Sequence, residues 1–140
     1  MFDTSSRFLI VDDSDVARKT VRMALNQLGL TKAEEAANGE VALAKLEQGL
    51  ENNEAFSLVI SDINMPKMTG LELLEACREH KDLEKIPFLM VTTETQKDAV
   101  IRAVMKGVSG YIVKPFVVND LKDKIKETFE RVRGNEATAI

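Results

Sequence analysis

The sequence predicts one α/β domain, an open, doubly wound parallel sheet of five strands with five helices on its two faces. Two observations lead there. Strand-like and helix-like patterns alternate from end to end of the 140 residues, the sequence sign of βαβ units. Four of the strand-like runs then end in polar groups: FLIVDD in Asp12 and Asp13, LVISD in Asp62, PFLMVTT in Thr92 and Thr93, and YIVKP in Lys114 and Pro115. If these strands are parallel, their carboxyl ends share one sheet edge, where open α/β folds place their sites.

The elements follow in order. Arg7 to Val11 reads as the first strand, and Ser14 or Asp15 can cap a helix carrying Val16, Val21, Leu25 and Leu28 until Gly29 stops it. Lys32 to Ala36 is a weak second strand. Asn38-Gly39 opens a second helix through Val41, Leu43 and Leu46, expected to fray into a surface loop over the polar stretch Gly49 to Glu54. Ser57 to Ser61 is the third strand, Leu71 to His80 the third helix, Phe88 to Thr92 the fourth strand and Gln96 to Lys106 the fourth helix. Gly107 and Gly110 bracket the turn into the fifth strand. Leu121, Ile125, Phe129 and Val132 give the last helix one apolar face, and after Arg133 only a short polar tail is expected. Residues 1–6 and 134–140 are read as short flexible ends of a single domain.

Composition narrows the function. A hydrophobic content of 44% in 140 residues suits one core. A net charge of -4, with no basic stripe, argues against a nucleic-acid binder. No apolar stretch approaches the roughly 20 residues that a membrane span needs, so no membrane insertion is expected. The single cysteine, Cys77, forbids an intrachain disulfide, packs at helical spacing after Leu74, and fits a reducing cytoplasm.

At the shared edge, Asp12, Asp13 and Asp62 would crowd three negative charges. Two unit charges about 5 Å apart repel by roughly 3 kcal/mol at an effective dielectric near 20, so the cluster calls for a cation. Hard oxygen ligands without histidine or thiolate suit Mg²⁺, with Mn²⁺ as a substitute. Any one of these acids alone would read as a loop acid or a helix cap. Lys114 ends a buried strand and should reach back to the acids, although a plain structural ion pair would meet the same need. Thr92 can donate its hydroxyl to an anionic oxygen. A cis peptide before Pro115 would aim the lysine inward; trans is the default for any proline. Carboxylates, a divalent cation, a hydroxyl and an ammonium make a phosphoryl-transfer site. Asp62 stands alone on the central strand and is the choice of nucleophile, whereas adjacent Asp12 and Asp13 look like a metal-holding pair.

VDD, SDINMPKMTG, VTTE and GYIVKPF, in that order, closely resemble the receiver domain of bacterial response regulators over almost the whole chain, and within that family the stand-alone, CheY-like chemotaxis type. The resemblance implies a flavodoxin-like five-stranded sheet in the order 2-1-3-4-5. It implies that Asp62 accepts phosphate from a phosphohistidine on a CheA-like histidine kinase. Asp12, Asp13, Asp62 and the backbone carbonyl of Asn64 would hold Mg²⁺, and Thr92 and Lys114 would bind the phosphoryl oxygens. Tyr111 would swing inward on activation; by itself it reads as an aromatic packed at a strand start. Asn64 and Glu94 would flank the water that hydrolyses the phosphoryl group, and the protein would act as a phosphoacceptor assisting its own turnover, not as an enzyme in the ordinary sense. Thr93 departs from the smaller alanine or glycine of many relatives, and its bulk is expected to narrow access.

The same resemblance puts an output face on the fourth helix, fifth strand and fifth helix, including Val100, Tyr111 and Lys124. Val100 is beside Ile101, so only one should face the core. By spacing alone, Lys122, Lys124 and Lys126 read as a solvated helix face. The partners implied are the kinase, a flagellar motor switch protein or another protein target, and a phosphatase, with the protein itself a monomer. A phosphorelay carrier or phosphate sink would keep the chemistry and change the output. A flavodoxin-like cofactor-binding protein would need a phosphate-binding Gly/Ser/Thr loop where this chain has DDSDVA.

Overall fold

The structure, a computed structural model, describes residues 2–138, with the side chains of Glu94 and of residues 135–138 outside that description. Its strands are β1 (Phe8–Val11), β2 (Ala33–Ala36), β3 (Leu58–Asp62), β4 (Phe88–Thr93) and β5 (Gly110–Lys114). Its helices are α1 (Asp15–Gln27), α2 (Gly39–Glu51), α3 (Gly70–Glu79), α4 (Lys97–Met105) and α5 (Val118–Thr138), with a 3-10 turn, Glu94–Gln96, leading into α4. The sheet is wholly parallel in the order β2-β1-β3-β4-β5, as the family resemblance implied.

Two cores, one on each face of the sheet, explain the solidly apolar strands. Phe8 and Ile10 of β1 face the side covered by α1 and α5, where Val21, Leu25, Leu121 and Ile125 are buried. Leu9 and Val11 face the other side, with Leu46 of α2, Leu73, Leu74 and Cys77 of α3, and Ala103 of α4. Strands β3 and β4 alternate in the same way, Ile60 and Val91 on the first side and Val59 and Met90 on the second. Helix starts are fixed locally: Ser14 accepts from the Ala17 amide, Asn38 from the Val41 amide, and Thr69 and Glu72 cap one another reciprocally. Gly29, at φ 78°, follows α1 where the chain must turn left-handed.

Three expectations are corrected. Helix α2 does not fray at Gly49 but runs to Glu51, because Gly49 is buried on the helix face that also carries Leu46. The returning chain lies so close there that a Cβ on Gly49 would come 2.8 Å from the Glu54 carbonyl oxygen, and the polar loop shrinks to the few residues after Glu51. Helix α5 continues past Arg133 to Thr138, where a tail was expected. At the other end, Phe2 is tied down by edge-on ring contacts with Phe8 and Phe129, at centroid distances of 5.2 and 5.1 Å. Met1, Ala139 and Ile140 are outside the described residues.

Strand β2 looked weak because its two glutamates, Glu34 and Glu35, lie on a sheet edge. They are held there by ion pairs with Arg7 and Lys45, and with Arg18 and Arg22, respectively.

Candidate functional site

Strand order reverses between β1 and β3, which leave helices on opposite faces, so a crevice opens beyond their carboxyl ends. Register sets its contents: Val11 pairs with Ser61, Asp62 with Val91, and Thr92 with Val113. Asp12, Asp13, Asp62, Thr92 and Lys114 therefore reach one rim. Asp12, Asp13 and Asp62 each offer a carboxylate oxygen within 4.8 Å of the others. At that spacing each pair of charges repels by about 3.5 kcal/mol at an effective dielectric near 20.

The compensation inside the protein is partial. Lys114 Nζ lies 3.4 Å from Asp12 Oδ2 and 3.8 Å from Asp62 Oδ1. The Ile63 amide donates to Asp62 Oδ1 at 2.9 Å, and the Ser14 amide to Asp12 Oδ1 at 2.9 Å. Asp62 is nevertheless pushed up from an ordinary 3.8 to about 6, first by burial and then by the charge of Asp12, with Asp13 adding to the effect. Lys114 and the Ile63 amide oppose this rise without cancelling it. The donor set, three hard carboxylates under-neutralised by one ammonium, fits a divalent cation.

Supporting residues that sequence reasoning missed hold this rim. Arg18 donates to the Asp12 carbonyl at 2.6 Å and to Glu35 at 2.9 Å, pinning the acidic turn to α1 and β2. Gly70 presses α3 against the back of Asp62, where a Cβ would come 2.0 Å from the Asp62 carbonyl oxygen. Its signal was the glycine after Thr69 at a helix start. Arg18 had none, because an arginine in the first turn of a helix, with one partner 17 residues away on β2, looks like any solvated charge.

The remaining candidates are placed as follows. Thr92 is fully buried, with its hydroxyl 3.1 Å from Gln96 Oε1. Thr93 is half-buried, its hydroxyl 2.9 Å from that of Thr95 and 3.1 Å from Gln96 Oε1, so its bulk is engaged with the turn before α4. The Glu94 side chain is outside the described residues. Asn64 is exposed in the loop after Asp62. The Lys114-Pro115 peptide is cis. Beside the acids, a cleft of about 330 Å³ is lined by Ile10, Val16, Ala17, Asp62, Lys114 and Phe116, among others.

Away from the rim, Tyr111 is 42% exposed and shares a groove with Lys124 and Arg131. Lys124 is half-buried and pairs with Glu127 at 3.2 Å. Val100 is a correction: it packs against the core with Ala99 and Ala103, and Ile101, 58% exposed, is the residue that faces out. The 3-10 turn, Glu94–Gln96, leads directly into α4, which starts at Lys97. Ile101, Val104 and Met105 of α4, with Tyr111 and Val113 of β5, leave a run of exposed apolar side chains on this face.

The model of the response regulator receiver domain matches residues 8–126. The chain belongs to that family. It is 44% identical over 128 residues to the chemotaxis protein CheY of Pseudomonas aeruginosa, covering 91% of this chain and 99% of that one. It is 39% identical over 132 residues to CheY-3 of Vibrio cholerae, covering 94% and 98%. Among solved structures, the chemotaxis response regulator CheY4 of Vibrio cholerae superposes with a TM-score of 0.74 at 36% identity, over 88% of this chain and 98% of that one. A CheY-like receiver domain from Methanospirillum hungatei gives 0.78 at 33% identity, over 93% and 98%. This receiver is thus CheY-like in sequence and fold, and no described helix is long and apolar enough to cross a membrane.

Proposed function

We propose that this receiver is a phosphorylation-switched signalling protein of the cytoplasm, in which Asp62 accepts a phosphoryl group from a phosphohistidine of a sensor kinase. The observation that carries the reading is the meeting of three carboxylates within 4.8 Å, with Lys114 across two of them. Asp12, Asp13, Asp62 and the Asn64 carbonyl would hold Mg²⁺, which supplies positive charge to the crowded acids and to the transferring group. An oxygen of the Asp62 carboxylate attacks phosphorus, forming the acyl phosphate. The phosphorus–nitrogen bond of the donor breaks, and the imidazole leaves with the electron pair. At neutral pH Asp62 is largely ionised despite a pKa near 6, so no separate base is required.

Lys114 can then exchange its long contacts with Asp12 and Asp62 for a phosphoryl oxygen, and Thr92 can donate its hydroxyl to another. Charge-assisted hydrogen bonds of about 1.5 to 3 kcal/mol each approach the roughly 5.5 kcal/mol needed to invert a two-state population from 1:99 to 99:1. The readout surface is the exposed apolar run of α4 and β5 with Tyr111, Lys124 and α5 around it; the target proposed for it from the family resemblance is a flagellar motor switch protein, and the chemotaxis names of the relatives agree with that setting. The protein is a phosphoacceptor that assists its own loss of phosphate, not an enzyme turning over free substrates.

Intact mass after incubation with acetyl phosphate tests the chemistry. The expected result is one added phosphoryl group that requires Mg²⁺ and is lost in Asp62→Asn. Addition that persists in Asp62→Asn, or none with either acetyl phosphate or a phosphorylated kinase, would overturn it.

A further inference from the structure

Thr92 has one hydroxyl proton, and with no exposure to solvent it can give that proton only to a protein acceptor. Two are within reach, Gln96 Oε1 at 3.1 Å and the Thr93 carbonyl at 3.3 Å. The same Gln96 oxygen accepts from the Thr93 amide at 2.9 Å and the Thr93 hydroxyl at 3.1 Å. The Thr93 amide is an obligate donor, so this end of the side chain is the carbonyl oxygen and not the NH₂ group. Gln96 closes the 3-10 turn and immediately precedes Lys97, the first residue of α4. One side chain therefore joins the hydroxyl at the rim of the acidic site to the head of the helix that carries Ile101, Val104 and Met105.

We infer that Gln96 is a positioning residue, a latch that competes with the phosphoryl group for the Thr92 hydroxyl and sets how readily the site switches. This rests on the phosphoacceptor reading above. To donate to an oxygen on Asp62, Thr92 must release Gln96. The release is cheap, because Gln96 Oε1 keeps its two bonds to Thr93 and is not left unsatisfied. It also removes one of the three bonds by which Gln96 ties β4 to the start of α4, the two to Thr93 remaining. The latch favours the unphosphorylated arrangement, and its strength is a setting of this chain separate from the metal site.

Beryllofluoride with Mg²⁺, a stand-in for a phosphoryl group on a carboxylate, measures the competition by titration calorimetry. Gln96→Met keeps the length of the side chain and removes the acceptor. Relative to the parent protein it should bind beryllofluoride about fivefold more tightly, equivalent to about 1 kcal/mol for one net hydrogen bond, with the affinity for Mg²⁺ alone unchanged. In a Thr92→Val background, where there is no hydroxyl to compete for, the same Gln96→Met change should have no effect. A merely structural role would move both backgrounds alike. Equal affinities for Gln96→Met and the parent, or an equal gain in the Thr92→Val background, would overturn the latch while leaving the phosphoacceptor reading standing. Failure of the parent protein to bind beryllofluoride at all would overturn both.

Discussion

Asp62→Asn should make the metal-free protein more stable at pH 7.5, because the carboxylate it removes sits in a site that disfavours charge. The native pKa of about 6 lies above the ordinary 3.8 that applies to the unfolded chain. Between these values the folded state binds the extra proton, so stability falls as pH rises from about 4 to 6, and the full penalty is present above 6. A rise of 2.2 units (6 minus 3.8), at 1.36 kcal/mol per unit, is a penalty of about 3 kcal/mol. Asparagine removes the charge while its side-chain oxygen can still accept from the Ile63 amide, and Lys114 keeps Asp12 at 3.4 Å. With an unfolding entropy of roughly 2.1 cal/mol/K per residue, a 140-residue domain shifts in Tm by about 3 to 4 °C per kcal/mol, so the variant should melt up to about 10 °C higher. Calorimetric melts in EDTA from pH 4 to 8 provide the assay. The gain should shrink toward zero at pH 4, where Asp62 is protonated in the parent protein as well. Adding Mg²⁺ should raise the Tm of the parent more than that of the variant, since a ligand for the folded state stabilises in proportion to its occupancy. A variant that melts lower than the parent at pH 7.5, or a gain that does not change with pH, would refute the electrostatic account of the site.

Two further outcomes test how the backbone supports the acids. Gly70→Ala should cost about 3 kcal/mol or more in urea unfolding, because its Cβ would come 2.0 Å from the Asp62 carbonyl oxygen, whereas Gly134→Ala, with nothing within 4 Å of its Cβ, should gain about 0.5–1 kcal/mol from helix propensity; similar costs at the two positions would contradict the close approach. Lys67 has φ 66° in the loop after Asp62, so Lys67→Gly should relieve left-handed strain and raise stability by a net of about 0.5–1 kcal/mol, and a lower Tm would show that the loop does not hold this conformation.

The elements and the acidic cluster were legible in the sequence because they depend on short-range rules. Ser14 and the Asn38-Gly39 pair announce the first two helices by chemistry that needs only a few neighbouring residues. The solid runs FLIV, LVIS and FLMV announce strands buried on both faces, and the polar groups after them fall at one edge of any parallel sheet. Elements were misjudged where local composition and burial disagreed. The Gly49 to Glu54 stretch looked like a loop, yet Gly49 is buried because its missing side chain lets the returning chain approach. The charges of β2 looked unfavourable for a strand, yet four basic residues, Arg7 just before β1, Arg18 and Arg22 of α1 and Lys45 of α2, neutralise them.

By itself the sequence determined the α/β class, the starts of the first two helices and the identity of the acids, hydroxyl and lysine at the strand ends, since each follows from periodicity or from chemistry within one turn of the chain. Only the tertiary structure decided that Arg18 holds the Asp12 carbonyl, that Ile101 and not Val100 faces solvent, and that Gly70 backs Asp62. Each of these depends on the rotational phase of a helix or on an approach within about 3 Å. Such details are set by how whole elements pack against one another, and nothing in a local pattern of residues encodes them.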